Sequence, residues 1–140
     1  MIKKGEKMPE IEIGTGVLGW DSYERRSDRY GYVNLFASPD DGCEKKVELV
    51  EVKTSDFGQL VAVVKETRKS NHIGDIFHGV YPETPEVGQR IVLGEGTLIS
   101  HKHAVGIKPR KKRSTWWLDI KALYKAHHQT VTLFFVSNQT

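Results

Sequence analysis

The fold of this chain is decided by an unbroken apolar run, Leu60-Val61-Ala62-Val63-Val64. A short apolar run of β-branched and aliphatic residues is typical of a strand that is buried on both faces. We therefore predict a strand over residues 59–67. The turn-forming residues 54–58 and the stretch 46–52 before them predict that this strand is the second half of a hairpin.

Strand patterns recur on both sides of this run, and turn residues separate them. Two glycine-bracketed triplets, Gly14-Thr15-Gly16 and Gly94-Glu95-Gly96, are predicted hairpin turns, because glycine accepts the positive φ that tight turns need. Further strands are predicted at residues 10–13, 31–38, 87–94, 97–103 and 130–136.

One helix is predicted late in the chain. Asp119 is a suitable N-cap residue, since a carboxylate can accept hydrogen bonds from the first free backbone amides of a helix. The four residues that follow it at helical spacing on one face are Ile120, Leu123, Tyr124 and His127. We predict a mainly β fold: a small antiparallel barrel or sandwich of about seven strands, with one short α-helix near the C-terminus.

Length and composition point to one domain that spans residues 1–140, with residues 137–140 frayed. The chain has 140 residues, of which 38% are hydrophobic and 28% charged. No apolar stretch approaches the roughly 18–20 residues that cross a bilayer, so we expect no membrane partner. The cations near Met1 are not followed by an apolar segment, and Cys43 is the single cysteine, so we expect no secretory signal and no intramolecular disulfide. These features predict a reducing, cytoplasmic compartment.

Charge is distributed unevenly along the chain. Residues 101–140 carry eight Lys or Arg and one carboxylate, whereas residues 1–100 carry thirteen Lys or Arg and seventeen Asp or Glu. The positive charge is concentrated at residues 108–113, where five of six positions are cations, directly before Trp116-Trp117. Such a local concentration is the feature most indicative of a partner.

The basic run predicts a contact with nucleic acid or another polyanion. Closely spaced cations can contact successive phosphates, and an indole can stack on any base. Lys121 and Lys125 are one helical turn apart and extend the same positive surface. The candidate site residues are Lys108, Arg110, Lys111, Lys112, Arg113, Trp116, Trp117, Lys121 and Lys125.

Two alternatives to this interpretation remain open. The first alternative is that the basic run is a solvated loop, with the two indoles closing one end of the core. The second alternative is an adaptor or inhibitor that engages an acidic partner protein, through the basic surface or through the loop at residues 21–30, which is rich in Tyr and Arg.

The histidines offer a weaker hypothesis. His101 and His103 would share one face of a strand, and His72, Asp75 and His78 could complete a metal site from a nearby loop. The usual fixed-spacing zinc signatures are absent from the sequence, as are a nucleophile elbow and an obvious pair of catalytic carboxylates. We therefore expect a non-catalytic binding module with no cofactor.

Overall fold

The computed structural model describes residues 10–22, 31–37, 45–67, 84–108 and 118–138. In these residues the chain forms six strands and one short helix. The strands are β1 (Glu10–Ser22), β2 (Gly31–Phe36), β3 (Phe57–Glu66), β4 (Arg90–Ser100), β5 (Val105–Lys108) and β6 (Thr130–Ser137), and the helix α1 (Ile120–Ala126) lies between β5 and β6.

The strands close into an antiparallel barrel. Around it the order is β1-β2-β5-β4-β3-β6, and β6 pairs again with β1. The ladders differ in length: β3 and β6 share eight residue pairs, from Gly58↔Ser137 to Glu66↔Thr130. In contrast, β2 and β5 share two, Tyr32↔Gly106 and Val33↔Val105. The predicted small antiparallel barrel with one late helix is confirmed, with six strands in place of about seven.

The core fills the inside of the barrel with alternate residues of each strand, as the two-residue period of a strand requires. On β3 these are Leu60, Ala62 and Val64, each fully buried, and the predicted apolar strand is confirmed. Val61, on the outer face of the same strand, is also buried. On β6 the inward residues are Val131, Leu133 and Phe135.

Helix α1 covers one end of the barrel. The Asp119 side chain accepts hydrogen bonds from the backbone amides of Lys121 and Ala122, which confirms the predicted N-cap. The Asp119 amide donates to the Leu93 carbonyl and so attaches the start of the helix to β4. Leu123 is buried in the core and supports the predicted apolar face of the helix.

The opposite end is crossed by residues 45–56, which we call the barrel strap. Leu49 is 4% exposed and belongs to the core. Backbone amides of the strap donate to groups on three different elements: Val47 to the Leu35 carbonyl, Leu49 to the Lys102 carbonyl, and Val50 to the Ile13 carbonyl.

The predicted strand at 46–52, and with it the predicted hairpin to β3, is wrong. The strap forms only an isolated bridge between Lys46 and Phe36 within the part of the chain described. Its amides bond to scattered carbonyls at the mouth of the barrel and not to one neighbouring strand. Three differences together give six strands in place of about seven: this segment is not a strand, the predicted strands 87–94 and 97–103 are one strand (β4), and β5 was not predicted.

The two predicted glycine turns are also wrong, because both triplets lie inside long strands. Gly14-Thr15-Gly16 is in β1, and the register of β1 with β6 shifts between Glu12 and Gly14. Gly94-Glu95-Gly96 is in β4, where the register with β3 shifts opposite Leu60 and Val61. Glycine inside a strand commonly marks a bulge or a close approach of another backbone, and here it marks both.

The C-terminal end of the described chain is bonded to the barrel. Ser137, the first residue of the expected frayed segment, is the last residue of β6, and its hydroxyl donates to a carboxylate oxygen of Asp56 at 3.0 Å. The amide of Asn138 donates to the Phe57 carbonyl. Residues 139 and 140 lie outside the described residues.

Candidate functional site

An open cavity of about 440 Å³ lies beside the turn that joins β4 to β5. We call it the hairpin cavity. Its volume is within the range of about 300–1,000 Å³ that is usual for small-molecule sites. The described residues that line it are Tyr32, Asn34, Lys46, His101, Lys102, His103 and Ala104.

The cavity exists because the ladder between β2 and β5 is short. After Val33↔Val105, the next residue of β2 is Asn34, and the next residue on the other side is Ala104. Ala104 belongs to the turn, where its carbonyl accepts a hydrogen bond from the His101 amide at 2.9 Å. The ladder therefore ends at Val33, and Asn34 and Ala104, just beyond that end, both line the cavity.

One wall of the cavity is formed by the turn between β4 and β5, and hydrogen bonds from the barrel strap hold this wall in place. The Leu49 amide donates to the Lys102 carbonyl at 2.7 Å, and the Val52 amide donates to the Ser100 hydroxyl at 3.0 Å. On the other wall, Lys46 is fixed by its bridge to Phe36 at the end of β2. Both walls are thus tied to the barrel by backbone hydrogen bonds.

The lining is cationic. It carries the ammonium groups of Lys46 and Lys102 and the imidazoles of His101 and His103, and all four residues are exposed. No carboxylate belongs to the lining within the described ranges. Lys102 Nζ forms an ion pair with Glu48 Oε1 at 3.9 Å, with side chains that are 60% and 70% exposed. An exposed pair of this kind contributes about 0–1 kcal/mol, so Lys102 is readily available to an anionic ligand.

The cavity also has an aromatic wall and a polar floor. Tyr32 is half-buried, and its ring lies 5.9 Å from the His101 ring, tilted by 57°. Asn34 is 1% exposed, so its carboxamide is the deepest polar group of the lining. Val33 and Leu35 alternate with Tyr32 and Asn34 along β2 and point into the core. Tyr32 and Asn34 therefore lie on the outer face of β2.

Lys108, the first residue of the predicted basic site, is exposed on the same outer face. Its neighbours Val105 and Ile107 point into the core, so Gly106 and Lys108 point outward. Tyr32 pairs with Gly106, and Lys108 is therefore its diagonal neighbour, at about 7–8 Å. The structure brings Lys108 beside Tyr32, which lines the hairpin cavity, although Lys108 itself does not belong to the lining.

Lys121 and Lys125 lie on α1, at the other end of the barrel. The helix is attached to β4 at Leu93, whereas the cavity begins at His101. Eight residues of strand separate these positions, which corresponds to about 26 Å. The two helical lysines are therefore not part of the hairpin cavity.

The other predicted site residues lie outside the described residues. They are Arg110, Lys111, Lys112, Arg113, Trp116 and Trp117. They follow Lys108 directly in the chain, and their role stays a prediction.

The histidines of the metal hypothesis lie partly in the described chain. His101 and His103 are in the turn between β4 and β5, so the predicted strand over 97–103 ends earlier, at Ser100. Across the ranges that the structure describes, no group of three or more His, Cys, Asp or Glu is placed to hold a metal ion. His72, Asp75 and His78 lie outside those ranges.

Sequence reasoning missed four residues of the cavity: Tyr32, Asn34, Lys46 and Lys102. The alternation of residues 31–38 puts Tyr32 and Asn34 on one face, and this signal could have suggested an exposed polar and aromatic surface. No local sequence pattern identified Lys46 and Lys102. They line the same cavity only once the strap and the β4–β5 turn have folded against the barrel.

Comparisons with known proteins add no family. Neither the protein-family models, nor the curated proteins, nor the solved structures include a match to this chain. None of the helical residues described in the structure belongs to a helix with the length and apolar character needed to span a membrane.

Proposed function

We propose that this protein is a non-catalytic binding module for single-stranded nucleic acid, which it contacts through the hairpin cavity and the adjoining outer face of β5. The observation that carries the proposal is the lining of the cavity, which combines two lysines, two histidines and a tyrosine without a described carboxylate. Proteins that bind single-stranded nucleic acid commonly combine aromatic rings with cations, because the rings stack on bases and the cations contact phosphates.

The charge around the cavity supports a ligand with several phosphates. Lys46 and Lys102 stand on the two walls, and Lys108 lies on the outer face beside Tyr32. A single strand that follows this path would meet cations on both sides of the aromatic ring. Each phosphate contact releases condensed counterions, which makes the affinity dependent on salt.

The proposal includes the basic run that the sequence predicts. Lys108 is the last residue of β5, and the run continues directly from it through Arg110, Lys111, Lys112 and Arg113. In this proposal the run extends the phosphate contacts beyond the cavity, and Trp116 or Trp117 offers a second stacking ring. Lys121 and Lys125 serve the end of the strand farthest from the cavity.

The test is a fluorescence titration of an oligothymidylate of twelve nucleotides at several salt concentrations. The parent protein is compared with K46Q/K102Q, which removes two cavity cations, and with K111A/K112A in the basic run. The matched control is K53Q/K65Q, which removes two charges from exposed residues that do not line the cavity. For single strands the salt slope changes by about 0.7 per phosphate contact, so we expect K46Q/K102Q to lower it by about 1.4.

The outcomes separate the proposal from its alternative. Weaker binding and a smaller slope in K46Q/K102Q, with K53Q/K65Q close to the parent, would support nucleic-acid binding at the cavity. Equal effects of both lysine pairs would mean that general charge alone attracts the strand. If the parent retains no oligonucleotide but forms a discrete complex with an acidic protein, the adaptor interpretation replaces this one.

A further inference from the structure

We infer that the hairpin cavity holds one unstacked base of the bound strand, with Tyr32 as its stacking ring. The inference rests on the proposed function and deepens it, because phosphate contacts alone would need no cavity. It assigns to this site a ligand class, a nucleotide with its base inserted, that is narrower than a polyanion.

The first argument is the volume of the cavity. A surface that binds phosphates needs only exposed cations, which can be presented on a flat or convex face. Here a space of about 440 Å³ lies beside the end of the β2–β5 ladder. A concave space of this size suits an inserted group and not a phosphodiester that passes along the surface.

The second argument is the order of groups from the rim to the floor. Lys46 and Lys102 are exposed, Tyr32 is half-buried, and Asn34 is 1% exposed. A nucleotide has a matching order, with an anionic phosphate on the outside and a flat π-system that can stack on the Tyr32 ring.

The third argument is that the walls are held in place. The turn is closed by the bond from His101 to Ala104 and is tied to the strap through Lys102. The Tyr32 ring packs against the His101 ring. Because the ring is positioned before the ligand arrives, little side-chain freedom remains to be lost on binding.

The experiment compares two twelve-nucleotide strands that have equal phosphates: an oligothymidylate and a fully abasic strand. Both are titrated against the parent and against Y32L and Y32F. Y32L removes the ring and keeps an apolar side chain, and Y32F keeps the ring. We expect the parent to bind the thymidylate about tenfold more tightly than the abasic strand, as a single base–aromatic stack can provide.

The variants locate this preference. In Y32L the preference for thymidylate should fall severalfold, to the part that stacking on Trp116 or Trp117 provides, while the abasic strand binds as it does to the parent. Y32F should keep the preference. Circular dichroism melting of both variants confirms that they are folded.

The inference and the proposed function fail in different ways. Equal affinity of the parent for the two strands, or an unchanged preference in Y32L, overturns base insertion and leaves the salt-dependent binding of strands in place. Failure of both strands to bind overturns the proposed function itself. A loss of abasic-strand binding in Y32L would also count against the inference, because the ring would then act through the fold.

Discussion

Gly96 shows why a residue that suggests a turn can instead belong to a strand. A Cβ at this position would overlap the backbone carbonyl oxygen of Lys108 and would lie 2.7 Å from Ile107 Cγ2. The absence of a side chain lets β4 and β5 approach closely, just where Lys108 is presented. The glycine is therefore required by packing and not by a positive φ.

We expect G96A to lower the free energy of unfolding by about 1–3 kcal/mol, the usual cost of forcing extra atoms into a packed site. Gly14 supplies the matched control, since a Cβ there would meet only two leucine methyl groups, the nearer one Leu49 Cδ2 at 3.0 Å. G14A should cost clearly less, because such side-chain ends can move. Urea unfolding of both variants measures the difference. Equal costs would mean that the backbone contact at Gly96 is unimportant.

Among the structural elements, the barrel strap is an irregular segment that nevertheless contributes a side chain to the core. Leu49 is 4% exposed and packs in the core, whereas its neighbour Val50 is 55% exposed. Both residues donate their backbone amides to carbonyls at the mouth of the barrel. The segment is thus held by main-chain bonds, by the buried Leu49 side chain, and by the half-buried Val47 and Val52 side chains that pack against the core.

We expect L49A to destabilise the protein by about 2–5 kcal/mol, through lost burial and the space left behind. V50A, the control one residue away, should change stability by no more than about 0.5 kcal/mol, as is usual for exposed positions. Thermal or urea unfolding provides the comparison. A small effect of L49A would show that the strap is dispensable for closing this end of the barrel.

The elements also show what the sequence could predict. β3, β6 and α1 were predictable because each is defined by a local pattern: an apolar run, a β-branched run, and an N-cap followed by helical spacing. The strap was not predictable, because the same alternating sequence can have its amides bonded to one neighbouring strand or to carbonyls of separate elements. Local patterns specify an extended backbone, while its partners are decided by the whole fold.

The candidate site was predictable only in part, for the same reason. Lys108 could be identified from the concentration of charge around it, and it lies beside Tyr32, a residue of the cavity lining. Tyr32 and Lys102 are far apart in the chain and meet because β2 and the β4–β5 turn are neighbours in the barrel. No spacing rule connects them.

For the molecule as a whole, the ladders predict where the barrel opens first. β2 and β5 share two residue pairs, whereas β3 and β6 share eight. Local opening follows the parts of a structure with the fewest cooperative contacts. The barrel is therefore least secure along the β2–β5 seam, at Val33 and Val105.

We expect the backbone amides that bond across the β2–β5 ladder to exchange with solvent faster than those that bond between β3 and β6, by about tenfold or more if the seam opens at a cost at least 1.4 kcal/mol lower. Hydrogen exchange followed by NMR measures each amide separately. Amides of β1 that pair with β6 serve as an internal reference. Uniform exchange across all ladders would show that the barrel opens only as one unit.

The short seam gives an occupant of the hairpin cavity a mechanical role. Tyr32 and Asn34 belong to one side of the seam, and residues 101–104 belong to the other. A ligand bound between them would bridge the two sides of the barrel at the ladder that has the fewest residue pairs. Ligand binding is then expected to raise the melting temperature and to slow amide exchange at Val33 and Val105. Both measurements therefore report whether the cavity is occupied.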